Sequence, residues 1–108
     1  MSRIDIQRNA EPQIVADVRM YATGAGGRLG PTGPGWGCLV TVSDVEPRSG
    51  WDALPLLRDA PLFPGETRRV GFVFLSPEEA VAEIAKAGHF YLWEGRCVGE
   101  AIVVVDGS

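Results

Sequence analysis

The chain has 108 residues, 45% of them hydrophobic and 22% charged, with mean hydropathy near zero and a net charge of −4. That length suits one domain that buries its own core without disulfide or metal staples. The acidic balance, with Lys86 the only lysine, argues against a chain built to neutralise nucleic-acid phosphates, and no apolar run approaches the ~18 residues of a membrane span.

Residues 1–12 read as a short polar leader ending at Pro12, of the kind that is often disordered. It holds no apolar stretch of signal-peptide length, so the expected location is cytoplasmic. Gln13–Ala22, "QIVADVRMYA", alternates, with Ile14, Ala16, Val18 and Met20 on one face, which predicts a strand with one buried side. Ala22–Gly37, "ATGAGGRLGPTGPGWG", then packs seven glycines and two prolines into sixteen residues. Alternation resumes in "CLVTVSDVE", Cys38–Glu46, where Cys38, Val40 and Val42 share a face.

Glu46–Glu66 contains four prolines and reads as an irregular loop rich in apolar residues: Trp51, Leu54, Leu56, Leu57, Leu62 and Phe63. Such a loop either lids the open end of a barrel or presents a patch that binds a partner. "TRRVGFVFL", Thr67–Leu75, puts Val70, Phe72 and Phe74 together in a further strand. "SPEEAVAEIAKAG" predicts a helix over about 77–87, with Ser76 as N-cap, Pro77 at the first helical position, Glu79 completing a capping box and Gly88 just past the end. Its expected apolar stripe is Val81, Ile84 and Ala85. His89–Glu94 and Cys97–Val105 follow as a hairpin joined at Gly95-Arg96. Gly71 and Gly99, inside strands, predict bulges or close backbone approach. No internal repeat is visible, and the chain divides into the leader, one domain over 13–105 and a tail over 106–108.

The glycine-rich loop fails both tests for a nucleotide cradle. A dinucleotide fingerprint needs G-x-G-x-x-G running into a helix; here Leu29 stands at the last glycine, and prolines and a strand follow. Gly30–Gly35 has P-loop spacing, but Trp36 occupies the lysine position. There is no G-x-S-x-G elbow and no H-E-x-x-H, and His89 is the only histidine. Cys38 and Cys97 form no C-x-x-C pair and read as two reduced thiols. The expectation is a protein with no catalytic, cofactor-binding or metal site, and hence not an enzyme.

The order of strand, Gly-Gly-Arg loop, strand, long loop with Pro-Gly-acid, strand and terminal hairpin resembles the C-terminal (third) domain of translation elongation factor Tu. "DVRMYATGAGGRLGP" is similar to the family's strand leading into Gly-Gly-Arg-His-Thr-Pro: Gly26, Gly27, Arg28 and Pro31 match, while Leu29 and Gly30 replace His and Thr. Trp36 falls near the tyrosine of the family's Gly-Tyr-Arg-Pro. "FPGE", Phe63–Glu66, is similar to the Met-Pro-Gly-Asp turn, and "GHFYLWEGRCVGEAIVV", Gly88–Val104, to the family's last hairpin, one glycine shorter. The likeness covers roughly residues 13–105.

The resemblance implies a mainly β fold: a single six-stranded antiparallel Greek-key barrel with one short helix, standing alone. It also implies a non-catalytic role. By position, Arg28, Glu94 and Arg96 match family residues near the T-stem of tRNA, whereas the family's loop histidine is missing and Leu39 stands near its strand glutamine. The expected function is an interaction module that binds another protein, or a second copy of itself, through Trp51, Leu54, Leu56, Leu57, Leu62 and Phe63. The alternative is a translation-associated tRNA-binding accessory protein, which the acidic charge disfavours.

Overall fold

The computed structural model describes residues 2–43 and 50–105. Ile14–Met20 (β1), Cys38–Thr41 (β2), Trp51–Leu56 (β3), Thr67–Phe74 (β4), His89–Trp93 (β5) and Cys97–Val103 (β6) close into an antiparallel barrel in the order β1-β4-β3-β2-β5-β6. Strands β2, β3 and β4 follow one another around the wall and β1 returns beside β4, a Greek-key arrangement. Closure leaves no sheet edge to be protected.

The alternating strands fold as their patterns predict. In β1, Ile14, Ala16, Val18 and Met20 are buried; in β4, Val70, Phe72 and Phe74 are. The inward residues of all six strands meet in one core, where Phe72 packs edge-on to Phe90 with ring centroids 5.1 Å apart. Strand β2 ends at Thr41, and residues 44–46 of the strand expected to reach Glu46 lie outside the described residues.

Three elements differ from the sequence reading. The first is β3, which lies in the stretch read as an irregular loop. It shows no alternation because both of its faces are covered. Ala53 joins the barrel core opposite Phe74, while Leu54, paired with Val73, and Leu56, paired with Gly71, belong to the outer face and are buried as well. Pro55 is tolerated because the β2–β3 ladder stops at Ala53, so no N–H is required of it on that side.

The second is the leader, which carries a helix, Arg3–Asn9 (α1). Ser2 caps it by accepting the Asp5 N–H at 3.2 Å, and Gln7 is its buried residue. It packs on β3 and, with Pro12, covers the outer face there; a Cβ on Gly71 would come within 2.7 Å of Pro12. Gly99 likewise admits no side chain without crowding Met20 Sδ and the Arg19 carbonyl.

The third differs only in detail: the second helix, Pro77–Ala87 (α2), has the predicted limits and ends at Gly88 in the left-handed conformation (φ 78°). Its buried positions are Ala80 and Ile84, with Val81 against the core, while Ala85 is exposed; Ser76 makes no side-chain cap bond, so the expected capping box does not form.

Antiparallel order places three connections together at one end of the barrel, here called the loop end: β1–β2 (21–37), β3–β4 (57–66) and β5–β6 (94–96). The β4–β5 connection, which carries α2, lies at the other, the helix end. Among the described residues no helix is long and apolar enough to cross a membrane.

Candidate functional site

The glycine-rich loop crosses the loop end because β1 and β2 are not neighbours in the barrel. A short 3-10 turn, Thr23–Ala25, starts the crossing, and Gly26 turns the chain with φ 93°. Gly27 then lies against the Tyr21 carbonyl so closely that any Cβ would overlap it. The paired glycines are therefore explained by backbone geometry alone, and they deliver Arg28 to a fixed place.

Arg28 is the hub of the site. Its Nε donates to Glu94 Oε1 (2.7 Å) and its Nη1 to the Gly30 carbonyl (2.8 Å), while the guanidinium lies over the Trp36 ring, 5.4 Å from the centroid. The Trp36 indole N–H donates to the other carboxylate oxygen, Glu94 Oε2, at 2.8 Å. Across the hairpin turn, Arg96 Nη2 donates to the Gly27 carbonyl at 2.8 Å. Glu94 thus ties the β5–β6 turn to both halves of the glycine-rich loop. Burial pushes its carboxyl up, but the Trp36 N–H and the Arg28 guanidinium outweigh burial and hold it below the usual carboxylate range.

These groups frame an open, mostly polar cleft of about 480 Å³, lined by Arg28, Leu29, Pro31, Glu94, Arg96 and Val98. Leu29 stands 88% exposed at its side. The Arg96 Nε and Nη1 donors have no protein partner among the described residues. Such a surface can offer charge-assisted hydrogen bonds to a carboxylate or phosphate and one apolar contact. Among the described residues no three His, Cys, Asp or Glu side chains converge to hold a metal. Cys38 and Cys97 are free thiols; burial, with Glu94 and Asp52 nearby, pushes the Cys38 thiol far up, which disfavours its thiolate. His89 is exposed on β5, its ring edge-on to Tyr91.

The residues expected to bind a partner are placed elsewhere. Leu54, Leu56, Leu57 and Leu62 are buried, Leu62 completely, and Trp51 is half-buried against the core. They cannot form a surface patch, because α1 and the barrel interior already cover them. Phe63 alone of that set is exposed (53%). Arg28, Glu94 and Arg96, by contrast, do come together. Two residues of this end carry no functional signal in the sequence: Leu29, which lines the cleft and reads only as a departure from a motif, and Gln7, which bonds the Trp36 carbonyl and the Gly35 N–H and which no pattern marks. No protein-family model and no curated protein matches the chain.

Proposed function

We propose that this chain is a non-catalytic interaction module, a barrel of the elongation factor Tu C-terminal type, which binds a protein partner through its loop end. The observation that carries this reading is Leu29, held 88% exposed beside two arginines of a preformed cleft, while Trp36, which lies under the Arg28 guanidinium, is buried. Arginine is enriched at protein-binding interfaces, and an exposed apolar side chain beside it adds area that association would take out of water. The partner it fits presents an acidic residue beside an apolar one. The six-stranded closed barrel and the order of its glycine and Pro-Gly motifs support the family reading.

One observation favours the tRNA reading: Arg28, Glu94 and Arg96, the three residues that the resemblance sets near the T-stem, share one cleft. Against it, Arg28 and Glu94 are bonded to each other, and the chain carries net charge −4.

The test is affinity capture with the wild type and with Leu29→Ser, followed by titration of the tryptophan fluorescence with bulk tRNA at about 50 mM and about 200 mM salt. The expected result is a protein partner lost in Leu29→Ser at unchanged Tm, with no tRNA response. Saturable tRNA binding that weakens with salt and disappears in Arg96→Ala would replace the protein reading with the RNA one.

A further inference from the structure

The β2–β3 ladder pairs Cys38 with Ala53, Leu39 with Asp52 and Val40 with Trp51, and stops there. Carried two residues further, the same register sets Trp36 opposite Pro55. Proline has no N–H to give, and the Trp36 N–H turns back to the Gly33 carbonyl (3.2 Å). The Trp36 carbonyl is thus left without a backbone donor among the described residues, and the Pro55 carbonyl has only the Leu57 N–H of its own strand end (3.1 Å), none from across the ladder. Gln7, from α1, fills the place: its Nε2 donates to the Trp36 carbonyl at 3.0 Å and to the Pro55 carbonyl at 2.8 Å, and its Oε1 accepts the Gly35 N–H at 3.0 Å. The side chain is only 5% exposed. One buried amide does the work of the missing rung, and among the described residues no buried side-chain polar atom is left unsatisfied.

What Gln7 holds is the segment that carries the Trp36 indole, and that indole holds Glu94, which holds Arg28. The other bonds of α1 do not reach the cleft. Arg8 pairs with Asp59, Arg58 donates to the carbonyls of Gln7 and Ala10, and Arg3 reaches the Gly35 carbonyl at a long 3.4 Å.

We propose that Gln7 is a positioning residue for the loop-end cleft: by supplying the rung that Pro55 cannot, it fixes Gly35 and Trp36, and through the Trp36 indole it sets where Glu94 and Arg28 stand. Its part in partner binding rests on the reading given above for the cleft; the chain of hydrogen bonds does not. The amino-terminal helix is then the element through which the cleft is tuned, and displacing it loosens the site without opening the barrel.

The experiment is two-dimensional NMR of the Trp36 indole N–H and the Arg28 Nε–H in Gln7→Met, with Ile84→Ala, a core truncation on α2, as the control for general loosening. In Gln7→Met both resonances move, and their hydrogen exchange speeds up about tenfold or more, the size of one lost buried hydrogen bond. In Ile84→Ala neither resonance moves. Adding Pro55→Ala to Gln7→Met returns a backbone N–H to the rung and brings the Trp36 resonance back toward its wild-type position. Should Gln7→Met fail to fold, the wild type decides: the Gly35 amide and the Trp36 indole proton then exchange with one common urea dependence. Unmoved resonances in a folded Gln7→Met, no recovery in the double variant, or separate urea dependences in the wild type would each overturn the proposal. A wild type that captures no partner would defeat the binding reading alone and leave these signals as predicted.

Discussion

The two ends of this barrel are closed in different ways. At the helix end, α2 lays Ala80 and Ile84 on the core, runs its hydrogen bonds along the helix from the Ser76 carbonyl onward and ends in a glycine cap. At the loop end the chain is irregular, and irregular backbone has no ladder to satisfy it, so side chains must. Arg28, Arg96 and Arg68 donate to the carbonyls of Gly30, Gly27, Ala60 and Pro61; Gln7 bridges Trp36 and Pro55. Thr32 and Leu62 exchange bonds, the Thr32 N–H donating to the Leu62 carbonyl and the Thr32 hydroxyl accepting the Leu62 N–H, each at 3.0 Å. The difference teaches where function can sit. A helix cap consumes its polar groups, whereas a loop pinned by arginines keeps spare donors and presents them at fixed positions.

The largest expected effects are common to both ends, because both rest on the same core. Leu62 and Ile84 are each fully buried, and truncation to alanine at either is expected to cost about 2–5 kcal/mol in urea melts. The contrast lies in what else changes. Leu62→Ala removes the packing beneath the β3–β4 connection and alters the loop-end cleft, while Ile84→Ala leaves that cleft as it was. If Ile84→Ala disturbed the Trp36 indole as much as Leu62→Ala did, the two ends would not be separable.

The same contrast shows how much of the molecule is legible in its sequence. β1, β4, α2 and the last hairpin are visible because each has one covered face and one open face, and the period of burial prints itself on the residues. β3 is invisible for the opposite reason: Leu54 and Leu56 on the outer face are as apolar as the interior side, since α1 covers them. The helix that covers them is seven residues long and fixed by Gln7 rather than by an apolar stripe, so it reads as a polar leader. One misreading therefore produced the other, and together they turned buried leucines into an expected surface patch. In the site, Gly26, Gly27, Arg28, Glu94 and Arg96 came within reach through their resemblance to a known pattern. The bond from Trp36 to Glu94 spans fifty-eight positions of chain, and no local signal announces it.

A smaller effect separates the ends by pH. Two loop-end carboxyls titrate below their usual range: Glu94, which burial raises but Trp36 and Arg28 lower further, and Glu66, which burial raises but the Phe63 N–H and Arg68 lower further. A carboxyl with a depressed folded-state pKa contributes stability that is fully present above its unfolded value of about 4.3 and is lost as pH falls through the folded value. Acid should therefore loosen the loop end first, seen as a change in Trp36 fluorescence before α2 melts by circular dichroism. Glu94→Gln keeps the shape and removes the charge. It is expected to lose about 0.5–1.5 kcal/mol at neutral pH, at the low end because the carboxylate is partly exposed and screened, and to flatten the acid limb of the stability curve. An acid limb as steep in Glu94→Gln as in the wild type would assign the pH dependence elsewhere.

The smallest predicted effect tests the helix end directly. Ser76 and Glu79 have the spacing of a capping box, whose loss ordinarily costs about 0.5–2 kcal/mol. Yet Ser76 has φ −121° and ψ 72° and makes no side-chain cap bond, and α2 starts instead from Pro77 and the Ser76 carbonyl, which accepts the Ala80 N–H at 3.1 Å. Ser76→Ala is therefore expected to stay within about 0.5 kcal/mol of the wild type, as an ordinary surface change does. Ser2→Ala, which removes a formed cap from α1, should cost about 0.5–1 kcal/mol. The comparison needs only paired urea melts. If Ser76→Ala proved the more costly of the two, the helix end would depend on a polar cap as the loop end does, and the distinction between an end that consumes its hydrogen bonds and one that presents them would have to be redrawn.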